Sequence, residues 1–432
     1  MLVVGWSVVI VLGVTMMYFN LCRKKEIRKQ TATAWYLSAV FKLAVILIVF
    51  IWRGTFIDRT VWVDTVHYFE TASSLASGDM HFLELFRDVE WPPHVGYEIF
   101  LGLVFKLTGS SEFFAGFLNG FLSIVTSYVL YKIASFSVSK DRALLIAALF
   151  NLYPLVLHFS VFVLKDIIVM LLCACAVLSA LQIMLRQRKK CYIGLGLSLF
   201  ALLFFRSFYT VFLALWFVIC NCVRSSIGKG KRFLYVLGSC VLAVAASMIL
   251  SSGQINAGYT IGGEHSHLNF IPQMRLTFSF ASFIELFKAL GSQIFLFIRS
   301  IVVEIVQVLI GPFYWTKPDS IFYLYSTTQM GYRYVFFENL ASIFMIVIAP
   351  GYLYYFLKRS ARNEVHKMLQ ILILILFCSL ILVGDIRWKL SMMPYIILIS
   401  LTGMMDRSKT KWYLWLLFEG LLSLCLIFYV ML

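Results

Sequence analysis

Apolar runs, most of them about 17–25 residues long, recur along this chain with short polar breaks between them. That is the length a helix needs to cross the hydrocarbon core of a bilayer. Spans are predicted at 2–21, 35–52, 113–136, 142–163, 167–185, 191–205, 208–223, 233–251, 334–357, 368–384, 388–404 and 412–431. The pattern therefore predicts an all-α polytopic membrane protein with about 11–13 transmembrane helices. The first run has no positive residue ahead of it and no small-residue cleavage pattern behind it, so it reads as a retained helix and not as a signal peptide. Two segments depart from the pattern. Val95 to Leu107 is short and contains Glu98 and Lys106, which suits an in-plane or re-entrant helix. Leu286 to Ile310 is interrupted by Lys288, Arg299 and Glu304 and is expected to lie at the interface.

Composition agrees with this class. With 61% hydrophobic and 13% charged residues, the chain has too little polar surface for a soluble globule. Its net charge of +16 comes from basic groups recurring at Arg23 to Lys29, Lys140 to Arg142, Arg186 to Lys190, Arg224 to Arg232, Lys358 to Lys367 and Arg407 to Lys411. Short basic loops mark the cytoplasmic side, so all six are expected inside and both termini outside. Attraction of anionic membrane lipids is a secondary consequence. Nucleic acid is not an expected partner, because the charge is scattered over short loops without a basic stripe. The expected organisation is an extra N-terminal helix and basic loop at 1–34 and a transmembrane core at 35–251 that includes an external loop, 53–112. An external segment with interfacial helices follows at 252–333, and C-terminal helices at 334–432.

Chemistry is sought first in the external loop, which holds nine of the 21 acidic residues. Asp64 follows a short aromatic stretch near a helix end, where partial dehydration would raise its basicity and suit a proton acceptor or a metal ligand. Asp88 and Glu90, two apart, could share a divalent cation, Mg or Mn, through oxygen ligands. Solvation of the loop is the plainer role for Glu70, Asp79, Glu84 and Glu112. Lys165 and Asp166 stand side by side between two apolar runs, which is costly in lipid and marks either a site or an interfacial hairpin. Arg387, in Gly384-Asp-Ile-Arg-Trp-Lys389, lies on the side where positive residues are disfavoured, so an anion such as a polyprenyl phosphate or pyrophosphate would account for it, with pairing to Asp385 as the alternative. Arg206 has a similar reading beside simple snorkelling. The Glu264, His265 and His267 group reads as solvated loop polarity, and Gly311 to Trp315 as an interfacial anchor. All nine cysteines fall in or beside apolar runs, the Cys173/Cys175 and Cys220/Cys222 pairs included, which points to packing; no disulfide framework is expected in the exposed loops. No Walker, Rossmann or HExxH pattern occurs.

The order of Asp64, Tyr68, Ala72, Gly78, Trp91-Pro92-Pro93 and Gly96-Tyr97 resembles the GT-C membrane glycosyltransferases. The nearest likeness is to the bacterial branch of protein O-mannosyltransferases and lipid A aminoarabinose transferases. It continues through Thr108-Gly-Ser110, Asn119, Asn151 to Pro154, Lys165-Asp166, Phe205 to Tyr209 and Arg387 to Pro394, as dispersed positions over residues 35–405. The resemblance implies transfer of a sugar from a polyprenyl-phosphate donor to a glycan, lipid or protein acceptor on the external face of a bacterial plasma membrane. It maps the first-loop aspartate onto Asp64, a second external acid onto Asp166 and a lipid-phosphate arginine onto Arg387. Tyr68, His94, Glu98, Lys165, Arg206 and Arg387 are the expected substrate-binding residues, Asp64 and Asp166 the catalytic ones, and Asp88 and Glu90 the cation ligands. A polymerase or ligase of lipid-linked repeat units is the rival among enzymes. A transporter or flippase is less favoured, since carriers usually show internal repeats and charges spread through several spans, whereas the acids here gather in one loop.

Overall fold

The computed structural model describes residues 2–57, 63–86, 95–223, 335–358, 363–383 and 389–405. It adds four three-residue strands and isolated positions between 288 and 301. The expected spans 233–251 and 412–431 lie outside the described residues, as does most of Leu286 to Ile310. The described chain forms α1 (Leu2–Cys22), α2 (Lys29–Arg53), α3 (Val63–Ser77), α4 (Gly96–Thr108), α5 (Glu112–Ala134), α6 (Lys140–Asn151), α7 (Pro154–Val161), α8 (Asp166–Arg186), α9 (Cys191–Val223), α10 (Val335–Lys358), α11 (Glu364–Val383) and α12 (Met393–Met405). Strands β1 (Tyr259–Ile261) and β2 (Met274–Leu276) pair antiparallel, and so do β3 (Ser326–Thr328) and β4 (Gly331–Arg333). The protein is an all-α polytopic membrane protein. Five of its described helices are long and apolar enough to cross a bilayer, or six when a bent pair is taken as one span.

Burial divides these helices. α1 turns Val4, Met16 and Phe19 outward and is the least enclosed, whereas α7 is buried at every position and α8 over most of its length. In lipid, outward apolar side chains need no explanation, so what fixes the bundle is close packing and polar contacts between helices. One seam of that kind joins α2 to α5 and α6. The Trp35 indole donates to Ser127 at 3.0 Å, the Lys42 ammonium donates to Ser123 at 2.6 Å, and the Asn151 amide donates to Ser38 at 3.2 Å. Farther along the chain, Trp216 of α9 donates to the Met368 carbonyl of α11 at 2.6 Å. α10 and α12 cross with Gly351 and Gly403 facing each other so closely that a Cβ on either would collide with the other helix's backbone.

One expected span is bent, and two others meet at a break. The run 142–163 is α6 and α7, bent by 54° where Pro154 opens the second piece. Proline lacks the amide hydrogen that would continue the α6 ladder, so the bend falls where the sequence requires it. The helices expected at 191–205 and 208–223 meet at Arg206, whose extended backbone (φ −161°, ψ 89°) interrupts α9. A rod of 33 residues would be about 50 Å long. Instead the Thr210 hydroxyl donates to the Leu199 carbonyl at 3.0 Å, a contact between residues 11 apart that requires the chain to fold back sharply at Arg206. α4 has 13 residues, about 20 Å, and is too short to cross. It packs along α3 to form a helical hairpin over one end of the bundle. At the opposite end, Arg28 pairs with Asp141 at 2.5 Å and Lys140 with Glu26, tying the α1–α2 connection to the start of α6.

Candidate functional site

The hairpin of α3 and α4 meets the start of α8 and the break in α9, and charged residues gather there. The connection from α7 to α8 is held by a buried amide side chain. Asn119, on α5, donates its amide to the Phe162 carbonyl at 2.7 Å and to the Leu164 carbonyl at 3.2 Å. Those bonds hold two carbonyls of the turn between the helices, where the Leu164 amide also donates to the Phe162 carbonyl at 2.9 Å, and they fix where Lys165 and Asp166 emerge. Asp166 opens α8, where the helix dipole favours a carboxylate. Arg206 approaches it to 3.2 Å, with side chains 7% and 1% exposed. The contact is ionic in distance, yet no donor among the described residues meets either Asp166 oxygen in hydrogen-bond geometry. The extended backbone at Arg206 breaks α9 opposite Asp166, and the guanidinium reaches across to the carboxylate.

In front of this pair, Lys165 lies over the Tyr68 ring, 5.4 Å from its centre. Burial pulls the lysine down to about 8, helped by Arg206 and opposed by Asp166, Glu98 and Asp64. Tyr68 meets Tyr97 edge-on at 5.1 Å, and the Tyr97 hydroxyl donates to Asn119 at 3.4 Å, so the aromatic pair is anchored to the group that sets the α8 start. Burial, reinforced by Asp64, Asp166 and Glu98, raises Tyr68 above the ordinary phenol range and keeps it neutral. Glu98 is buried on α4 with one oxygen 3.7 Å from the exposed His67 ring and the other without a partner among the described residues. Burial pushes its carboxyl above the usual range, while its own backbone amide, Lys165 and His67 act the other way. Asp64 is half-buried in the first turn of α3 and within electrostatic range of Tyr68, Lys165 and Glu98.

α4 can lie this close because of Gly96. A Cβ there would stand 2.9 Å from the Phe204 carbonyl and 2.8 Å from the Phe205 ring, so any side chain would push α4 off the segment that carries Arg206. From the C-terminal side, Ser391 comes within hydrogen-bonding reach of Tyr209 and Cys173, which brings the buried Lys389 to Ser391 stretch against α8 and α9.

Six residues singled out by sequence therefore meet: Asp64, Tyr68, Glu98, Lys165, Asp166 and Arg206. Arg387, His94, Asp88 and Glu90 lie outside the described residues. Among the described residues no three His, Cys, Asp or Glu side chains gather as a metal site. Of the described carboxylates here, Asp166 faces Arg206 and Glu98 faces His67. Sequence reading did not assign site roles to His67, Tyr97, Asn119, Tyr209 or Ser391. Asn119 had a detectable signal, an amide side chain within an apolar run, which lipid penalises unless it is satisfied. The positions of Tyr209 and Ser391 depend on how distant helices pack.

The model of a family described as dolichyl-phosphate-mannose-protein mannosyltransferase matches residues 91–250. The match takes in α4, α5, the start of α8 and the break in α9, and leaves out Asp64 and Tyr68. It supports a GT-C membrane glycosyltransferase. No curated protein matches the chain.

Proposed function

With the chain taken as a GT-C membrane glycosyltransferase, we propose that it moves a sugar from a polyprenyl-phosphate donor to a hydroxyl acceptor on the external face of the membrane, with inversion at the sugar. The observation that carries this reading is the convergence of a half-buried carboxylate, Asp64, with two cations, Lys165 and Arg206, at one end of the bundle. The Asp64 carboxylate takes the acceptor's proton as its oxygen attacks the anomeric carbon, and the bond from that carbon to the phosphate oxygen breaks. Negative charge grows on the departing lipid phosphate, and Lys165 and Arg206 are the groups suited to stabilise it. Asp166 is a positioning residue in this scheme, since its contact is with Arg206. Tyr68 and Tyr97 form an aromatic wall for the sugar, and Glu98 accepts a hydroxyl hydrogen through its free oxygen. The external orientation draws support from the basic connections 23–29 and 186–190 at the opposite end.

The test uses the purified full chain in nanodiscs with a polyprenyl-monophosphate sugar and, separately, a polyprenyl-pyrophosphate oligosaccharide. Transfer from the monophosphate alone is expected. Transfer from the pyrophosphate alone would replace this reading with that of a repeat-unit polymerase. Asp64→Asn is expected to lower turnover by about 10²–10⁴-fold with membrane insertion unchanged, the range for loss of a general base. Full activity in that variant would remove Asp64 from the chemistry.

A further inference from the structure

The end of the bundle away from the site gathers cations from four separate places in the chain. Lys24 follows α1, Lys132 lies in the last turn of α5, Lys140 opens α6 and Arg186 closes α8. The Lys24 ammonium is 3.5 Å from the Tyr131 hydroxyl and 5.0 Å and 5.7 Å from the centres of the Tyr131 and Tyr128 rings. Lys132 stands 4.8 Å from the centre of that same Tyr128 ring, and Arg186 4.6 Å from that of Phe136. Among the described residues, the acids beside this cluster are engaged with other partners, Glu26 with Lys140 and Asp141 with Arg28. What faces Lys24, Lys132 and Arg186 is therefore mainly aromatic carbon, which attracts a cation but cancels no charge. Burial, then Lys132 and Lys140, lower the proton affinity of Lys24, with Glu26 opposing.

Two lysines sharing one ring repel each other until an anion comes between them. The depth of the cluster indicates which anion. Tyr18 and Tyr36 meet beside it with ring centres 4.8 Å apart and planes tilted by 32°, and with Tyr128 and Tyr131 they make an aromatic belt of the kind found at headgroup level. Next to the belt, Met16, Phe19 and Leu37 turn outward as acyl chains require. We propose that this end binds the phosphate of an anionic phospholipid headgroup, gripped by Lys24 and Lys132 with the Tyr128 ring between them and Arg186 at the rim.

The test follows thermal unfolding of the full chain in detergent as phosphatidylglycerol, phosphatidylcholine or inorganic phosphate is added. Phosphatidylglycerol alone is expected to stabilise the wild type. The double substitution Lys24→Gln/Lys132→Gln should weaken its apparent affinity roughly 10-fold or more, from the usual value of a lysine at an anionic surface. Lys24→Arg/Lys132→Arg should restore it, which separates binding from a folding defect. Lys189→Gln/Lys190→Gln removes the same charge from exposed positions at the same end and should weaken affinity clearly less than the first pair if the site is local. Equal weakening in the two glutamine pairs, or none in either, overturns the site. Equal stabilisation by inorganic phosphate overturns its assignment to a lipid. None of these measurements depends on sugar transfer, so they stand or fall separately from the proposed reaction.

Discussion

The two ends of the bundle hold similar inventories of cations, carboxylates and tyrosines but place them in different surroundings. At the site end, Asp166 and Arg206 are 1% and 7% exposed, and Lys165 is pressed on a ring between them and Glu98. At the other end, Arg28 and Asp141 are 75% and 17% exposed, and Lys140 and Glu26 44% and 63%. Water screens the second set and leaves each pair a modest link between segments. Removal from water makes the first set interdependent, so that each group's charge is set by its neighbours. Burial, more than charge count, distinguishes a candidate reaction centre from a solvated end.

The sharpest way to break this comparison is to remove one member of the buried pair. Asp166→Ala leaves the Arg206 guanidinium enclosed without its counter-charge, a change that costs about 3–5 kcal/mol in buried pairs. Unfolding temperature should fall markedly, and transfer should be lost. Asp166→Asn keeps the shape and removes the charge, so activity should drop further than stability. The double change Asp166→Ala/Arg206→Met, which removes both charges, should recover much of the stability and none of the transfer. If Asp166→Ala unfolds like the wild type, the two ends do not differ in the way described.

Much of this division was legible in the sequence. Lys165-Asp166 between apolar runs and Arg206 within one were visible because lipid makes charges conspicuous, and the nine acids of 53–112 directed attention to Asp64 and Glu98. What could not be read was the pairing. Nothing in the spacing of residues 166 and 206 says that one faces the other, because that depends on the break at Arg206 and on the fold-back that Thr210 and Leu199 record. The bend before Pro154 was foreseeable from the proline, yet hydropathy alone merged α6 and α7 into one span. Asn119 was noted only as a point of likeness, and its role in fixing the α8 start emerges from three-dimensional contacts with Phe162 and Leu164.

A smaller effect sharpens the comparison through pH. Lys165 titrates at about 8 because burial and Arg206 disfavour its charge. Below that pH it is an ammonium able to hold a phosphate, and above it a neutral amine. On this account kcat/KM for the donor, which reports the free enzyme, is level below about 8 and declines toward a tenfold loss per pH unit above it. Lys165→Arg keeps the charge at all these values and should remove that limb while leaving activity at pH 7 within the same order. A limb that persists unchanged in Lys165→Arg would assign it to another group.

The smallest expected effect lies at the exposed end, where it serves as the control for the others. Arg28 holds Asp141 through its side chain and also donates its backbone amide to it at 3.1 Å, so the contact looks as complete as the buried one. The Arg28 guanidinium nevertheless stays in water whether or not the pair forms, and forming it exchanges one set of polar partners for another of nearly equal worth. Truncation strands no buried charge, because Asp141 keeps the backbone amide and access to solvent. Arg28→Ala should therefore leave both unfolding temperature and transfer within experimental error of the wild type. A loss comparable to that of Asp166→Ala would mean that geometry, and not removal from water, sets the strength of charge pairs in this protein.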